Sequence, residues 1–450
     1  VFEILFGGYA TPTKCVAFWR LALNSYIYIK KERLEIFMTI AAVIAEYNPF
    51  HNGHAYQLRE IRRQTGADLI LVMMSGDFVQ RGAPACTDKY TRCRMALAAG
   101  ADMVCELPVY GALGSAEIFA ESAVSLLNQL GCIDFLCFGA ETIDPHLFHA
   151  IVSVLSDEPP EYRTLLQDAL KTGMNFPAAR SYALGRLLKN THCSHILNLP
   201  NNILAIEYMK ALCKTGSPIK PIAIRRTGAG YHSMETTAGF QSATAIRHQL
   251  SDGTLNPSEC IAGLDIPDTS KVLLQSYLTH RPILTSNDFS DVLAAQLLDV
   301  HTDLTEYVDI SSDLANRIDS FRYQFLSTEQ FITLLSARNL TSTRIARCLF
   351  HIILDHRRNY LDTWRNHQYA GFLRILGFRK QSGAIWKFFQ PSVRAQLITQ
   401  TSQAYDHLTG IGLDIYNADL HASRLYRQIL KCRSQSFLPD ITSEPVIILP

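Results

Sequence analysis

Apolar residues come in short blocks along the first half of the chain, and the blocks alternate with amphipathic stretches. Thr39–Ala45 is a small, apolar run closed by Glu46-Tyr47-Asn48-Pro49, the pattern of a strand covered on both faces. A helix is predicted from about Gly53 to Gln64, with Gly66 as its C-cap. Asp68–Met74 is a second buried strand, and Thr87 or Asp88 can cap a helix running to Ala99. Met103–Cys105 and Ile133–Phe138 are further strands, separated by a helix over Ser115–Leu130, and Ile222–Arg225 is one more. Wholly apolar strands alternating with helices predict an α/β fold built on a doubly wound parallel sheet. Ligands of such sheets sit beyond the carboxyl ends of the strands. The chemistry is therefore expected at 46–54, 75–82, 106–108 and 139–141.

Beyond residue 251 helical periodicity dominates, as in Asn287–Val300, Ser312–Leu326 and Thr341–Asp355. This divides the chain into residues 1–37, an extension of no readable role, a catalytic domain at 38–250, and a mainly α-helical domain at 251–450. The 42 basic and 41 acidic residues leave a net charge of +1, so no global field draws the chain to nucleic acid. Locally the balance differs. Between Arg344 and Arg394 ten Lys/Arg face only Asp355 and Asp362. The 11 cysteines are scattered, never spaced CxxC, and mostly set in apolar runs, which excludes a disulfide scaffold and points to the reduced cytoplasm. No apolar run of transmembrane length occurs, so no membrane span is expected.

The sharpest chemical feature is Asn48-Pro49-Phe50-His51-Asn52-Gly53-His54, between the first strand and the first helix. Orphan N–H groups and the helix dipole favour an anion there, and glycine admits close approach of a phosphate. Two imidazoles can donate to phosphate oxygens where charge develops. A His-x-Gly-His string arises by chance about 0.03 times in a chain of this composition, which favours a phosphate site over two ordinary turn residues or half a metal site. A second element, Ser242-Ala243-Thr244-Ala245-Ile246-Arg247, enters a predicted helix at 242–250. Ser242, Thr244 and Arg247 could hold outer phosphates, and equally could be an N-cap with a surface arginine. Lys89 and Arg92 lie three apart on one helix face, able to reach a phosphate or a carboxylate, or to pair with Asp77 or Asp88.

HxGH followed far downstream by SxTxxR resembles the HIGH-motif nucleotidyltransferases, whose sheet is Rossmann-like. EYNPFHNGH (46–54), SGDFVQRG (75–82), DKYTRCRMAL (88–97), ELP (106–108), FGAE (138–141), NLPNNILAIEY (198–208), IRRTGAGYH (224–232), TSTRIARCL (341–349) and FLRILGF (372–378) follow in order. Together they are similar to the tRNA(Met) cytidine acetate ligase family over about Met38–Tyr426. The resemblance implies ATP with Mg²⁺, acetate activated as acetyl-adenylate, and acetyl transfer to the wobble cytidine of elongator tRNA(Met). It implies an ATP loop of Ile44, Ala45, Glu46, Tyr47, Asn48, Pro49, Phe50, His51, Asn52, Gly53, His54, Ala55, Tyr56 and Gln57. His51 and His54 would stabilise the α-phosphate transition state, with Lys89 and Arg92 as further catalytic candidates. Gly139 would lie against adenosine, and Asn202 and Arg225, with Arg226 as runner-up, match further ATP positions. No protein-held metal is expected.

For RNA, Arg344, Arg347, Arg357, Arg358, Arg374, Arg379 and Lys380 are the candidates. With Arg365, several of them interleave with Trp364, Tyr369, Phe378 and Trp386, a mixture suited to an anticodon loop, although the aromatics alone read better as core. Two other readings stand beside this one. An adenylyl- or cytidylyltransferase acting on a small molecule would use the same two motifs, and a non-catalytic tRNA-binding protein could keep the nucleotide fold as scaffold.

Overall fold

The computed structural model describes residues 38–226, 241–251, 257–299, 302–337, 339–387 and 395–450, so the extension 1–37 and Arg394 lie outside the described residues. The chain opens with β1 (Ile40–Ala45), α1 (Asn52–Thr65) and β2 (Leu69–Ser75). A small hairpin follows, β3 (Phe78–Val79) and β4 (Ala83–Pro84), and then α2 (Lys89–Ala98), β5 (Met103–Leu107), α3 (Ala116–Leu130) and β6 (Phe135–Ala140). The caps predicted at Gly66 and Asp88 are present, and Ser115 supplies one that was not predicted. Gly66 closes α1 at φ 64°, a left-handed conformation suited to glycine, and the Asp88 and Ser115 side chains cap α2 and α3. The strand at 135–140 runs through Gly139 rather than stopping before it.

Five helices then cover one sheet face: α4 (Pro145–Asp157), α5 (Pro160–Lys171), α6 (Phe176–Leu187), α7 (His192–Leu197) and α8 (Pro200–Lys214). After β7 (Lys220–Arg225) the chain continues as α9 (Ala243–Ser251), α10 (Pro257–Ala262), α11 (Asp268–His280), α12 (Ser290–Leu297), α13 (Ser312–Phe321), α14 (Thr328–Leu335), α15 (Ser342–Ile353) and α16 (Arg358–Asn366). It ends with β8 (Phe372–Arg379), β9 (Gln396–Ile398), α17 (Gly410–Ser434) and β10 (Ile447–Leu449). Among the described residues no helix is long and apolar enough to cross a membrane.

The main sheet has the order β10-β8-β5-β2-β1-β6-β7, with β9 also on β8. All its pairings are parallel except β5 with β8. Chain direction across the sheet reverses between β1 and β6, so their carboxyl ends bound the crevice where a nucleotide belongs. Alternation along β1 divides the core. Ala41 and Val43 face α1 and the C-terminal helices, and Ile40, Ala42 and Ile44 face α3, α4 and α8.

The boundary expected at residue 250 needs correction. FLRILGF is β8, and it pairs with β5 in the same sheet as the HxGH strand, with β9 and β10 beyond it. The C-terminal half is mainly helical, yet it completes the catalytic sheet. Otherwise β5 would be an edge with unpaired backbone groups.

Candidate functional site

The turn after β1 is shaped by its own side chains. Tyr47 has φ 49° and Asn48–Pro49 is cis. Asn48 Oδ1 accepts from Cys86 N–H at 2.8 Å, which fixes the turn to the loop before α2. His51 is the N-cap of α1. Its Nδ1 accepts from Gly53 N–H at 3.1 Å, and His54 Nδ1 accepts from His51 N–H at 3.2 Å. The two imidazoles thus make a capping box and stack with centroids 3.7 Å apart. Burial, with the charges of Arg226 and Arg247, pulls the His51 pKa down to about 3. Burial, His51 and Arg226 hold His54 well below 6.5. A neutral ring whose Nδ1 accepts carries its proton on Nε2. Both rings are therefore fixed as Nε2–H donors at the N-terminus of α1.

These rings open onto a cleft of about 1030 Å³ including its mouth. Of the predicted ATP loop, Ile44, Ala45, Glu46, Tyr47, Asn48, His51, His54 and Gln57 line the cleft. Pro49, Phe50, Asn52, Gly53, Ala55 and Tyr56 do not, and Phe50 and Ala55 belong to the core. Ser242, Thr244 and Arg247 face the same cleft across from the histidines. Ser242 Oγ accepts from Ala245 N–H at 3.1 Å as a plain N-cap would. Arg247 is no surface arginine, because it donates to Asn48 O at 2.6 Å and to Thr244 Oγ1 at 3.1 Å. That bond joins the two motifs 199 residues apart.

A residue the sequence did not single out, Asp265, clamps both. Its backbone O and Oδ1 accept from the Asn52 N–H (3.2 Å) and Nδ2, and its Oδ2 accepts from Gln241 N–H at 2.9 Å. Its own N–H donates to Gln241 Oε1 at 3.0 Å. A lone aspartate in a Gly-Leu-Asp-Ile turn carries no motif, so no signal could have found it.

On the β6 side, Gly139 lines the cleft, and a Cβ there would come within 3.3 Å of the Arg226 Cγ. Arg226 lines the cleft, whereas Arg225, the last residue of β7, does not, and both are exposed. Asn202 is buried beneath the rim. Its Oδ1 accepts from Glu141 N–H at 3.0 Å and Thr142 N–H at 3.4 Å, and Glu141 in turn accepts from Asn201 and Asn202 N–H at the start of α8. It positions the loop after β6, and Asn201 reaches the cleft in its place. Phe119, Phe138, Leu204 and Tyr208, none of them predicted, form the apolar wall.

Lys89 and Arg92 are also corrected. Both are fully buried and neither lines the cleft. Lys89 Nζ lies 2.5 Å from Glu106 Oε1 and 3.6 Å from Asp77, and donates to Ser423 Oγ of α17 at 2.7 Å. Arg92 donates to the carbonyls of Glu46 (2.7 Å), Ser75 (3.1 Å), Thr87 (3.1 Å) and Gly76. Their helix face turns inward because carboxylates and unpaired carbonyls collect at the ends of β1, β2 and β5. Arg92 ties those strand ends together under the cleft.

The arginines expected to meet RNA are dispersed. Arg374 is buried, bonded to Tyr90 Oη at 2.7 Å and Thr401 Oγ1 at 2.9 Å, with Glu106 3.4 Å away, and cannot touch RNA. Arg344 and Arg347 both pair with Asp309, at 3.0 and 3.6 Å. Arg357 lies 4.1 Å over the Tyr307 ring and pairs with Glu306 and Asp355, and Arg358 donates to Ile310 O at 2.7 Å. Arg379 is half-buried and Lys380 exposed. Trp364 and Tyr369 pack edge to face at 4.9 Å within the core, as their composition suggested.

The comparisons with known proteins agree with this fold. The HIGH Nucleotidyl Transferase family model matches residues 38–438. A tRNA(Met) cytidine acetate ligase of Thermoanaerobacter sp. is 37% identical over 390 residues, covering 86% of this chain and 95% of that protein. Its counterpart in Clostridium kluyveri is 34% identical over 425 residues, covering 91% and 99%. The apo crystal structure of Thermotoga maritima TmcAL superposes with a TM-score of 0.85 at 28% identity, covering 92% of this chain and all of that one. The same protein bound with alpha-thio ATP gives 0.83.

Proposed function

The chain belongs to the tRNA(Met) cytidine acetate ligase family of HIGH nucleotidyltransferases, and we propose that it activates acetate with ATP and acetylates the wobble cytidine of elongator tRNA(Met). The observation that carries the reading is the pair of neutral imidazoles at the N-terminus of α1, each with Nδ1 satisfied by backbone and Nε2–H left to donate. They stand with Arg226 and Arg247 at the β1/β6 switch point.

In the first step an acetate oxygen attacks the α-phosphorus, the bond to the β-phosphate oxygen breaks, and pyrophosphate leaves. Charge accumulates on the phosphoryl oxygens and on the leaving group, and preorganised donors are what this chemistry requires. His51 and His54 supply those donors without protonation, and Arg247, braced on Asn48 O and Thr244, suits the outer phosphates. In the second step the cytidine N4 attacks the acetyl carbon, AMP leaves, and N4 loses a proton, giving N4-acetylcytidine. Neither step calls for a protein nucleophile.

Among the described residues no three His, Cys, Asp or Glu side chains gather as a metal site, and Glu46 is the carboxylate on the cleft lining. That donor set would suit a Mg²⁺ ion held chiefly by phosphates and water, with Glu46 as the carboxylate that could hold the ion or its water. For tRNA, the exposed part of the Arg344–Lys380 stretch remains the proposed contact, with Arg374 removed from it. The setting is the cytoplasm.

The test is a nucleoside assay by mass spectrometry with ATP-Mg²⁺, labelled acetate and unmodified elongator tRNA(Met). Labelled N4-acetylcytidine that disappears in His54→Ala is the expected result. Pyrophosphate release without label in the tRNA would leave the adenylation chemistry and reject the acceptor. Silence on both counts from folded protein would reject the enzyme reading.

A further inference from the structure

We propose that Arg92 is a positioning residue of the adenylation site, whose guanidinium holds the chain after β1 and β2 against the start of α2 and so fixes where the HxGH imidazoles stand. The inference rests on the adenylation reading above and names a group outside the cleft on which the rate of that step depends.

The side chain is fully buried, and four of its five N–H groups donate to backbone carbonyls. Nη1 serves Glu46 O at 2.7 Å and Ser75 O at 3.1 Å, Nη2 serves Gly76 O, and Nε serves Thr87 O at 3.1 Å. These carbonyls belong to three separate segments, at the exit of β1, at the end of β2 and just before α2. Lys89, on the same helix, has Glu106 and Asp77 as counterions, whereas among the described residues no carboxylate pairs with Arg92. A buried cation served by carbonyls alone is costly to keep, and costs of that kind gather where a site needs its backbone held. Only a guanidinium, with donors spread over a rigid fork, reaches three segments at once.

The chain that it holds carries the site. Glu46, Tyr47 and Asn48 all line the cleft. Tyr47 has φ 49°, a left-handed conformation that a tyrosine keeps when its surroundings impose it, and its ring packs 4.8 Å from those of Phe50 and His54. Asn48 is fastened twice, by Cys86 N–H on Oδ1 at 2.8 Å and by Arg247 on its carbonyl at 2.6 Å. Cys86 stands beside Thr87, so the loop that grips Asn48 is itself held by Arg92 Nε. Arg92 therefore braces the turn from both ends, directly at Glu46 and through Thr87 at Asn48. Its removal strips a donor from four carbonyls at once, and the turn bearing His51 and His54 loses its footing. Donors aimed at a phosphoryl transition state tolerate little displacement, because a shift of about 1 Å costs about 100-fold in rate.

Acetate-dependent ATP–pyrophosphate exchange, run beside calorimetric binding of a non-hydrolysable ATP analogue, tests the assignment in the full chain. Arg92→Ala should lower the maximal exchange rate about 100-fold while analogue binding stays within about threefold, since the misplaced donors act on the transition state. Arg92→Lys keeps the charge without the fork and should fall between alanine and wild type. A purely structural role would lower the urea midpoint and leave the rate per folded molecule unchanged. Arg92→Gln serves if the alanine variant does not fold. Exchange within about threefold of wild type in a folded alanine or glutamine variant, a loss matched by an equal loss of analogue binding, or the failure of all three variants to fold overturns the positioning role. If the wild-type protein binds the analogue and shows no acetate-dependent exchange, the adenylation reading fails and the proposal falls with it.

Discussion

Replacing His51 with asparagine separates two tasks that one imidazole performs. Its Nδ1 caps α1 through Gly53 N–H, and its Nε2–H is left for the cleft. Asparagine is among the best N-caps, and its Oδ1 stands about where Nδ1 stands, so His51→Asn keeps the cap and removes the donor. The cap is worth about 1 kcal/mol, and the 3.7 Å stack on His54 adds about 0.5–1.5 kcal/mol that both variants lose. We expect His51→Asn to be destabilised by about 1 kcal/mol and His51→Ala by about 2 kcal/mol, read from urea unfolding. A preorganised donor aimed at developing charge is worth about 10²–10³ in turnover, so both variants should lose that much acetate-dependent pyrophosphate exchange. The activities should match while the stabilities differ. An asparagine variant that exchanges within about threefold of wild type would show that Nε2 never bears on the phosphate, and the tautomer argument would fail.

Asp265→Asn leaves one Asp265 contact without an acceptor, at Asn52 Nδ2 or Gln241 N–H, and Asp265→Ala removes both side-chain contacts. The KM for ATP should rise about 10-fold in the first and further in the second, and an unchanged KM in steady-state exchange kinetics would remove the clamp from the argument. Gly82→Ala meets the Ala346 and Arg347 backbone at φ +76° and should cost about 2–5 kcal/mol in urea unfolding; near-wild-type stability would contradict the packing. Four histidines, the buried His51, His351 and His356 and the half-buried His54, have pKa values lowered chiefly by desolvation, to about 3 for His51 and His356. The unfolded chain takes up their protons as the pH falls through about 6.5, so stability is full well above that pH and should fall by roughly 1 kcal/mol for each of His51 and His356 by pH 5.5, with His54 and His351 acting in the same direction and the raised Asp419 opposing them; a flat urea midpoint from pH 7.5 to 5.5 would refute this.

What could be read from the chain was what periodicity and caps encode locally. The main-sheet strands up to Ile222–Arg225, the Gly66 cap and the Asp88 N-cap lie close to where the pattern put them, because each depends on neighbours within a few residues. The HxGH and SxTxxR elements do face one cleft, as paired motifs suggested. The direction of single side chains was not legible. Lys89 and Arg92 look like ligand-facing charges in a helix, and only the fold shows Glu106 and the strand-end carbonyls waiting inside. Arg374 sits in a basic run, yet strand alternation in β8 turns it toward Tyr90 and Thr401. Partners from 16 to 284 residues away along the chain decide these orientations, and no local rule reports them.

The same long-range contacts revise how the molecule divides its work. A nucleotide-binding half and a tRNA-binding half, joined near residue 250, would leave the adenylation site to the first alone. Instead Asp265 grips Asn52, Gly82 rests on α15, Lys89 reaches Ser423, and the Tyr426 hydroxyl donates to Ala85 O at 2.8 Å. β8 covers the edge of β5, whose Glu106 anchors Lys89 under the cleft. Each contact fixes a loop at the carboxyl end of a strand, where in-line transfer needs its groups held within a fraction of an ångström. The helical half therefore belongs to the catalytic site as well as to any surface that meets RNA. Gly82 against α15 carries the same dependence to the turn bearing Arg81, on the wall of the cleft.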